Sequence, residues 1–458
     1  MIDISLHDLA KSLKGNLCNT SLTHITPNGV SIDTRDDLTN KVFVALKGIR
    51  DGHDFLPVAQ EKSVVLAITE KPCDFAHILV RDTSKAIKDF AKFYKEHFHI
   101  QTIGITGSVG KTTTKDLTAS IVSQKYKTVK TIGNFNNEIG LPLTIFRLEK
   151  ETQVAVLEMG MNNLGEIHNL AEIAKPDIAL ITNIGTAHIE NLGSRENILK
   201  AKSEILDFYP KKIILDGDDS YLQSLSNKVD ADYYYLNRPL EKYSAYNIIN
   251  KGLLGSTVTI KLDNIQFDLN IPIPGQYMIK NAIAGAIVGK YLGLTTEQIK
   301  IGIESFEPSA NRMDIKQGPK NRIVINDTYN ASPQSMKATI DMVTDQSGKK
   351  IAIFGDMYEL GSFSEDLHKE VGEYENISKL DMLITIGPQS KFIHQSAFNI
   401  IDHNKTQCLH FENKQDFFDK FVQSDIIHEL DNAIILIKAS RAMGFEEISH
   451  KLIKNEEE

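Results

Sequence analysis

The stretch "GITGSVGKTTTKD", residues 104–116, brings together three glycines, two lysines and three consecutive threonines. Gly107 and Gly110 let backbone N–H groups of Gly107-Ser108-Val109-Gly110 approach an anion closely. Lys111 adds a positive charge, and the hydroxyls of Thr112 and Thr113 follow, the first able to ligate Mg²⁺. The flanks suit a phosphate cradle: a β-branched run, "TIGIT", leads in, and "KTTTKDLTASIVSQ" leads out at helical spacing. The general pattern G-x-x-x-x-G-K-[ST] needs a small residue five positions before Gly110, where Ile105 stands. The loop is therefore a shortened phosphate-binding loop, and its expected ligand is a nucleotide.

Three further side chains could join that chemistry. Glu158 follows the strand-like "VAVL" and would emerge at a strand's carboxyl end, as a candidate Mg²⁺ ligand. His188, in "ITNIGTAHIE", sits just past another strand end, and Lys202, in "AKSEIL", lies on the next helical stretch. Singly, each also has an ordinary reading, as a solvated rim carboxylate, a loop histidine and a surface lysine.

The elements that would position them form an α/β chain. At 458 residues it exceeds one ordinary core, and roughly 100 to 200 residues per domain gives about three units. From 41 to 98, short apolar strands and the helical "SKAIKDFAKFYKEHF" make a small α/β unit, so a first boundary falls near residue 98. Helices and apolar strands then alternate, the rhythm of a parallel sheet with crossover helices. Residues 228–273 read as antiparallel strands. "EPSANRMD" reads as a linker, with a second boundary near 309, and from 310 a second alternating, doubly wound segment runs to the end, with "KNEEE" as a frayed acidic tail. Three cysteines, Cys18, Cys73 and Cys408, lie far apart and read as buried thiols, not a disulfide framework or zinc site. A net charge of −9 argues against general nucleic-acid binding. No signal peptide or membrane span is visible, so a cytoplasmic protein is expected.

Taken together, the motifs resemble the Mur ligase family, which joins amino acids to the peptidoglycan precursor and counts folylpolyglutamate synthase as a relative. That family's loop is T-G-x-x-G-K-T-[ST], matched by Thr106–Thr113. "NFNNEIGLPLT", "LEMGMNNLGEI", "TNIGTAHIENLGS", "NDTYNASPQSMKATI" and "FGDMYELG" extend the likeness over the whole chain, and look like the member that adds D-alanyl-D-alanine to UDP-N-acetylmuramoyl-tripeptide. The resemblance implies residues 1–98 as a UDP-binding domain, 99–309 as a central ATPase domain and 310–458 as a Rossmann-like domain for the dipeptide. It implies ATP and Mg²⁺, with Lys111 and Thr112 at the phosphates, Glu158 and His188 at the metals, and a CO₂-derived carbamate on Lys202 that turns a cation into an anion. Asn281 would contact adenine, while Arg312 and Asp327 would hold ribose and phosphates. Ser31, Thr34, Arg35 and His53 would meet the uridine substrate. Asn134, Asn136, Asn137, Asn330, Ser440 and Arg441 would also line substrate sites. A monomer without nucleic-acid or membrane partners is expected.

The chain departs from the family pattern at two places. G-[RH]-H-N before the adenine asparagine is "GQYM", with Tyr277 and Met278, and K-G-S-R is "KASR", with Ala439. A sister ligase, a folylpolyglutamate synthase-like enzyme or an ATP-hydrolysing switch that ligates nothing are the alternatives.

Overall fold

The computed structural model describes residues 1–422 and 425–454; from 455 on, the expected acidic tail lies outside the described residues. The chain packs as two compact units that interleave in sequence. One comprises Met1–Thr106, Val122–Ile181 and Ala201–Ile214, the other Gly107–Ile121, Thr182–Lys200 and Leu215–Glu458.

In the first unit a five-stranded sheet runs in the order Asn16–Cys18, His77–Leu79, Leu66–Thr69, Val42–Val44 and Val30–Ser31. Only its first pair is antiparallel. The same unit holds a parallel run in the order Ile178–Ile181, Gln101–Thr106, Val154–Glu158 and Thr128–Lys130. The middle strands are apolar and buried along almost their whole length, as strands covered on both faces must be. Helix Thr83–Lys95 begins with Asp82 capping the N–H groups of Ser84 and Lys85. Its buried stripe includes Ile87, Phe90 and Tyr94, whose hydroxyl donates to the Leu148 carbonyl at 2.8 Å.

The second unit contains the helix Gln276–Tyr291, apolar nearly all round and buried accordingly. Strands Tyr243–Asn250, Ser256–Leu262 and Ile265–Ile271 pair antiparallel, as the sequence suggests. Asp232–Leu236 does not follow: it pairs parallel with Tyr243–Asn250. The overlap is short, and Asn237, at φ 56°, turns the chain back, so the connection over 237–242 suffices. A six-stranded sheet runs in the order Asp314–Gln317, Ile323–Asn326, Ala433–Lys438, Lys349–Gly355, Met382–Ile386 and Gln407–Phe411. All its pairs are parallel except the first, and Asp314–Gln317 is an edge strand that the linker reading did not foresee. Ile351, Ile384, Ile435, Phe417 and Phe421 centre its core. The three cysteines are half-buried, not buried; burial still pushes the Cys408 thiol up to about 12. Among the described residues no helix is long and apolar enough to cross a membrane.

The helix after the phosphate loop, Lys111–Val122, is held by close approach to Thr296–Glu304. A Cβ on Gly302 would lie 2.4 Å from the Ile121 Cα, and Ser120 donates to the Gly302 carbonyl at 2.7 Å. Gly302→Ala should therefore cost about 1–3 kcal/mol by overpacking. Urea unfolding checks this, and an unchanged midpoint would refute the close approach.

Candidate active site

The phosphate loop continues from the strand Gln101–Thr106 and is held from outside. Thr182 Oγ1 and Asn183 Nδ2 both donate to the Val109 carbonyl, at 2.6 and 2.8 Å, while Asn183 Oδ1 accepts from the Val109 N–H at 2.9 Å. The Ser108 N–H donates to the Asn183 carbonyl at 3.0 Å, and Ser108 Oγ accepts from the Gly185 N–H at 2.8 Å. The amides of Ser108 and Val109 thus shape the loop instead of pointing at a ligand. Helix Lys111–Val122 begins directly after the loop, and a helix N-terminus is where backbone donors suit phosphate. Gly107, at φ 149°, is compelled: a Cβ there would lie 1.9 Å from Thr182 Oγ1. Lys111 folds back to donate to the carbonyls of Gly107 and Ser108, at 2.8 and 3.3 Å.

Asn281 is buried beside this loop, its Oδ1 accepting from Thr114 Oγ1 at 3.0 Å and lying 3.3 Å from where a Gly110 Cβ would stand. Its Nδ2 meets only the thioether of Met278, at 3.8 Å, a weak acceptor. Met278 thus leaves the amide donor available to a stronger partner. Tyr277, the other departure, has a buried hydroxyl with no partner.

In the first unit, Glu158 is in register with Ile105, at the carboxyl end of the strand from which the loop continues. It is 2% exposed; Oε1 accepts from Asn136 Nδ2 at 2.7 Å, and Oε2 has no partner. Asn136 is therefore the holder of Glu158. Asn137 caps the turn into helix Gly140–Ile145 by accepting from the N–H groups of Ile139 and Gly140, and Asn134 is exposed. Lys202 ends up 1% exposed on Arg195–Ser203, not on the surface. A lysine so placed needs compensation of its charge or loss of it.

His188 is at φ 63°, at the start of the turn Ile189–Leu192, and its Nδ1 lies 2.8 Å from Glu359 Oε2. That contact holds the Glu359 carboxyl below its usual range. Asp327 is clamped by an ion pair to Lys438, which is 3% exposed, and accepts from the Met313 N–H at 3.2 Å. Lys438 also donates to the Asn330 carbonyl at 3.0 Å. The Arg312 guanidinium lies 3.6 Å from the Tyr329 ring centroid, and that of Arg441 5.7 Å from the same ring. The structure thus brings Arg312, Asp327, Asn330 and Arg441 into one cluster. Ser440 is buried, its hydroxyl accepting from the Tyr358 N–H at 2.8 Å. Ala439 fits because position 355 is glycine: a Cβ at 355 would stand 2.7 Å from the Ala439 Cβ.

The N-terminal candidates separate. Ser31, Thr34 and Arg35 share one turn, where Ser31 donates to Asp36 at 2.7 Å and Arg35 pairs with Asp33, lowering that carboxyl to about 2. His53 is internal: Nδ1 meets Asp51 at 2.5 Å, and Nε2 accepts from the Glu70 N–H at 2.9 Å. With both ring nitrogens engaged it holds the fold and does not face a substrate.

Residues 105–289 match the Mur ligase middle domain and residues 311–441 the Mur ligase glutamate ligase domain. The chain is 36% identical to the UDP-N-acetylmuramoyl-tripeptide–D-alanyl-D-alanine ligase of Bacillus subtilis and 31% to that of Escherichia coli, over 99% of both chains in each case. The chain belongs to the Mur ligase family. Among solved structures, this Mur ligase superposes on MurF from Acinetobacter baumannii with a TM-score of 0.88 at 26% identity, covering 99% of this chain and 100% of that one. For the MurF ligase of Thermotoga maritima in complex with ADP the TM-score is 0.79 at 26% identity, covering 93% and 96%. Among the described residues of this Mur ligase, no group of three His, Cys, Asp or Glu side chains could hold a metal ion by itself. Within the first unit, the buried Glu158 Oε2, without a partner among the described residues, nonetheless suits Mg²⁺, which takes one or two protein ligands and completes its shell with phosphates and water.

Four residues described above escaped the sequence reading: Thr182, Asn183, Glu359 and Lys438. Lys438 did carry a signal, a lone charge closing the apolar run "AIILIK". Asn183→Ala deletes two hydrogen bonds to Val109. It should weaken ATP binding roughly tenfold while the protein stays folded, as calorimetric titration would reveal. Unaltered affinity would mean that the loop holds itself.

Proposed function

We propose that this chain is the ATP-dependent ligase that joins D-alanyl-D-alanine to UDP-N-acetylmuramoyl-tripeptide, forming one amide bond of the peptidoglycan precursor. The observation that carries the reading is the likeness, over 99% of both chains, to the Bacillus subtilis and Escherichia coli ligases of that name. It is supported by a phosphate loop rigidly held by Asn183 and by the Arg312–Asp327–Lys438 cluster. Residues 1–98 are assigned to the UDP-sugar peptide, with Ser31, Thr34 and Arg35 at its site, 99–309 to ATP and 310–458 to the dipeptide, with Asn330 and Arg441 at its site.

A carboxylate is too poor an electrophile to form an amide unaided. Attack on the γ-phosphate of ATP makes an acyl phosphate, and the dipeptide amine then displaces phosphate. Lys111 exchanges the loop carbonyls for phosphate oxygens and offsets the repulsion between anionic nucleophile and triphosphate. Asn281 gives its amide N–H to adenine, and Arg312 and Asp327 hold the ribose and phosphate end. Thr112 and His188 in the second unit, and Glu158 in the first, would each serve as a Mg²⁺ ligand, and the ion would supply further neutralisation of the phosphates.

A carbamate on Lys202 is the finer part of this reading, and its one support is the burial of that side chain. Carbamylation consumes a neutral amine and leaves an anion, removing the cost of a buried cation.

Lys111→Ala should lower kcat roughly 10²–10³-fold with the fold intact. Phosphate release assayed with the UDP-tripeptide and D-alanyl-D-alanine is the measurement; turnover that ignores the dipeptide, or prefers a single amino acid, would overturn the assignment. Lys202→Ala should lose turnover, keep ATP binding and regain part of its activity with acetate. Lys202→Arg should be equally inactive, and an active arginine variant excludes the carbamate.

A further inference from the structure

We propose that Glu359 is the positioning residue for His188: its carboxylate accepts a hydrogen bond from the Nδ1–H of the imidazole and so leaves the lone pair on Nε2, the nitrogen that serves the metal. The inference rests on the reading of His188 as a metal ligand and adds a residue that this reading does not contain.

Nδ1 of His188 is shut off from solvent, and Glu359 Oε2, 2.8 Å away, is the charged acceptor within reach. The Nδ1 hydrogen is not aligned on that oxygen. The Glu359 side chain is 57% exposed, so a small rotation aligns the pair. Both backbones are uncommon: His188 and Glu359 each adopt φ 63°, a left-handed conformation that histidine enters more readily than most residues and that glutamate must be held in from outside.

The segment carrying Glu359 is held in that way. The Ser440 hydroxyl accepts from the Tyr358 N–H at 2.8 Å, and the Glu190 N–H reaches the Glu359 carbonyl at 3.4 Å. Gly361, at φ 52°, lies so close that a Cβ there would meet the Glu190 Cγ at 2.7 Å. On the other side of the turn, Gln334 Oε1 accepts from Thr186 Oγ1 at 3.0 Å. Two contacts of the 333–363 region thus fix the 185–190 turn, and between them the carboxylate meets the ring. An imidazole that ligates a metal through one nitrogen needs an acceptor for the other N–H, which fixes the tautomer and raises the basicity of the ligating nitrogen.

The test uses the full chain. In ¹⁵N-histidine NMR spectra of the metal-free protein, His188 should be the Nδ1–H tautomer, and Glu359→Ala should shift it toward Nε2–H. Glu359→Ala should also raise the Mg²⁺ concentration for half-maximal turnover roughly 10–100-fold. Glu359→Gln keeps the chain length and a neutral acceptor, so it should retain the tautomer and show a smaller rise. An unchanged tautomer in Glu359→Ala, or an unchanged Mg²⁺ requirement there while His188→Ala raises it, overturns this inference and leaves the metal reading standing. If His188→Ala itself leaves the Mg²⁺ requirement unchanged, both fall.

Discussion

Backbone amides bind phosphate only when something keeps them from relaxing toward one another, and in this chain that constraint is the grip of Thr182 and Asn183 on the loop. Thr182 and Asn183 follow the strand Ile178–Ile181, which pairs with the strand that launches the loop, so the two ends of one parallel pair meet again in side-chain hydrogen bonds. The requirement for glycine at 107 follows from the same grip, since Thr182 Oγ1 occupies the space a side chain would need. The shortened motif is therefore not an incomplete one. The turn that a further glycine would have made is replaced by contacts from the neighbouring strand end.

Charges in the interior are handled by the same logic of external support. Lys438 is buried at a strand terminus and is matched by Asp327 and the Asn330 carbonyl. Glu158 receives one hydrogen bond from Asn136 and keeps its second oxygen unsatisfied. A buried carboxylate oxygen without a partner is costly to maintain, and such cost persists where a ligand offsets it. The low-dielectric surroundings that make it costly also strengthen the attraction it offers to a cation.

The sequence made the local features legible. Alternating apolar strands and helices, the glycine-lysine-threonine loop and the amphipathic helix Thr83–Lys95 follow from short-range pattern. What stayed hidden depends on distant partners. Lys438 takes its meaning from Asp327, 111 residues away, and the internal role of His53 from the Glu70 amide. Residues 228–273 read as antiparallel strands, yet Asp232–Leu236 pairs parallel with Tyr243–Asn250, with Asn237 left-handed between them. The burial of Lys202 could not be read from its polar helix. Asn136 and Asn137 were both singled out, yet one steadies a carboxylate and the other caps a helix, a division of labour that residue type does not express.

The contact between Ala439 and the bare backbone of Gly355 ties two strand ends together by packing. The methyl at 439 fills the room that a missing side chain at 355 leaves, and Phe445 and Met443 close the remaining sides. A Cβ at 355 would stand 2.6 Å from Phe445 Cζ, 2.7 Å from the Ala439 methyl and 2.9 Å from Met443 Sδ, so removing the methyl at 439 alone does not open position 355 to a side chain. The demand for glycine is shared among three neighbours, and the bare backbone at 355 acts as a socket into which the segment carrying Ser440 and Arg441 is seated from several sides at once.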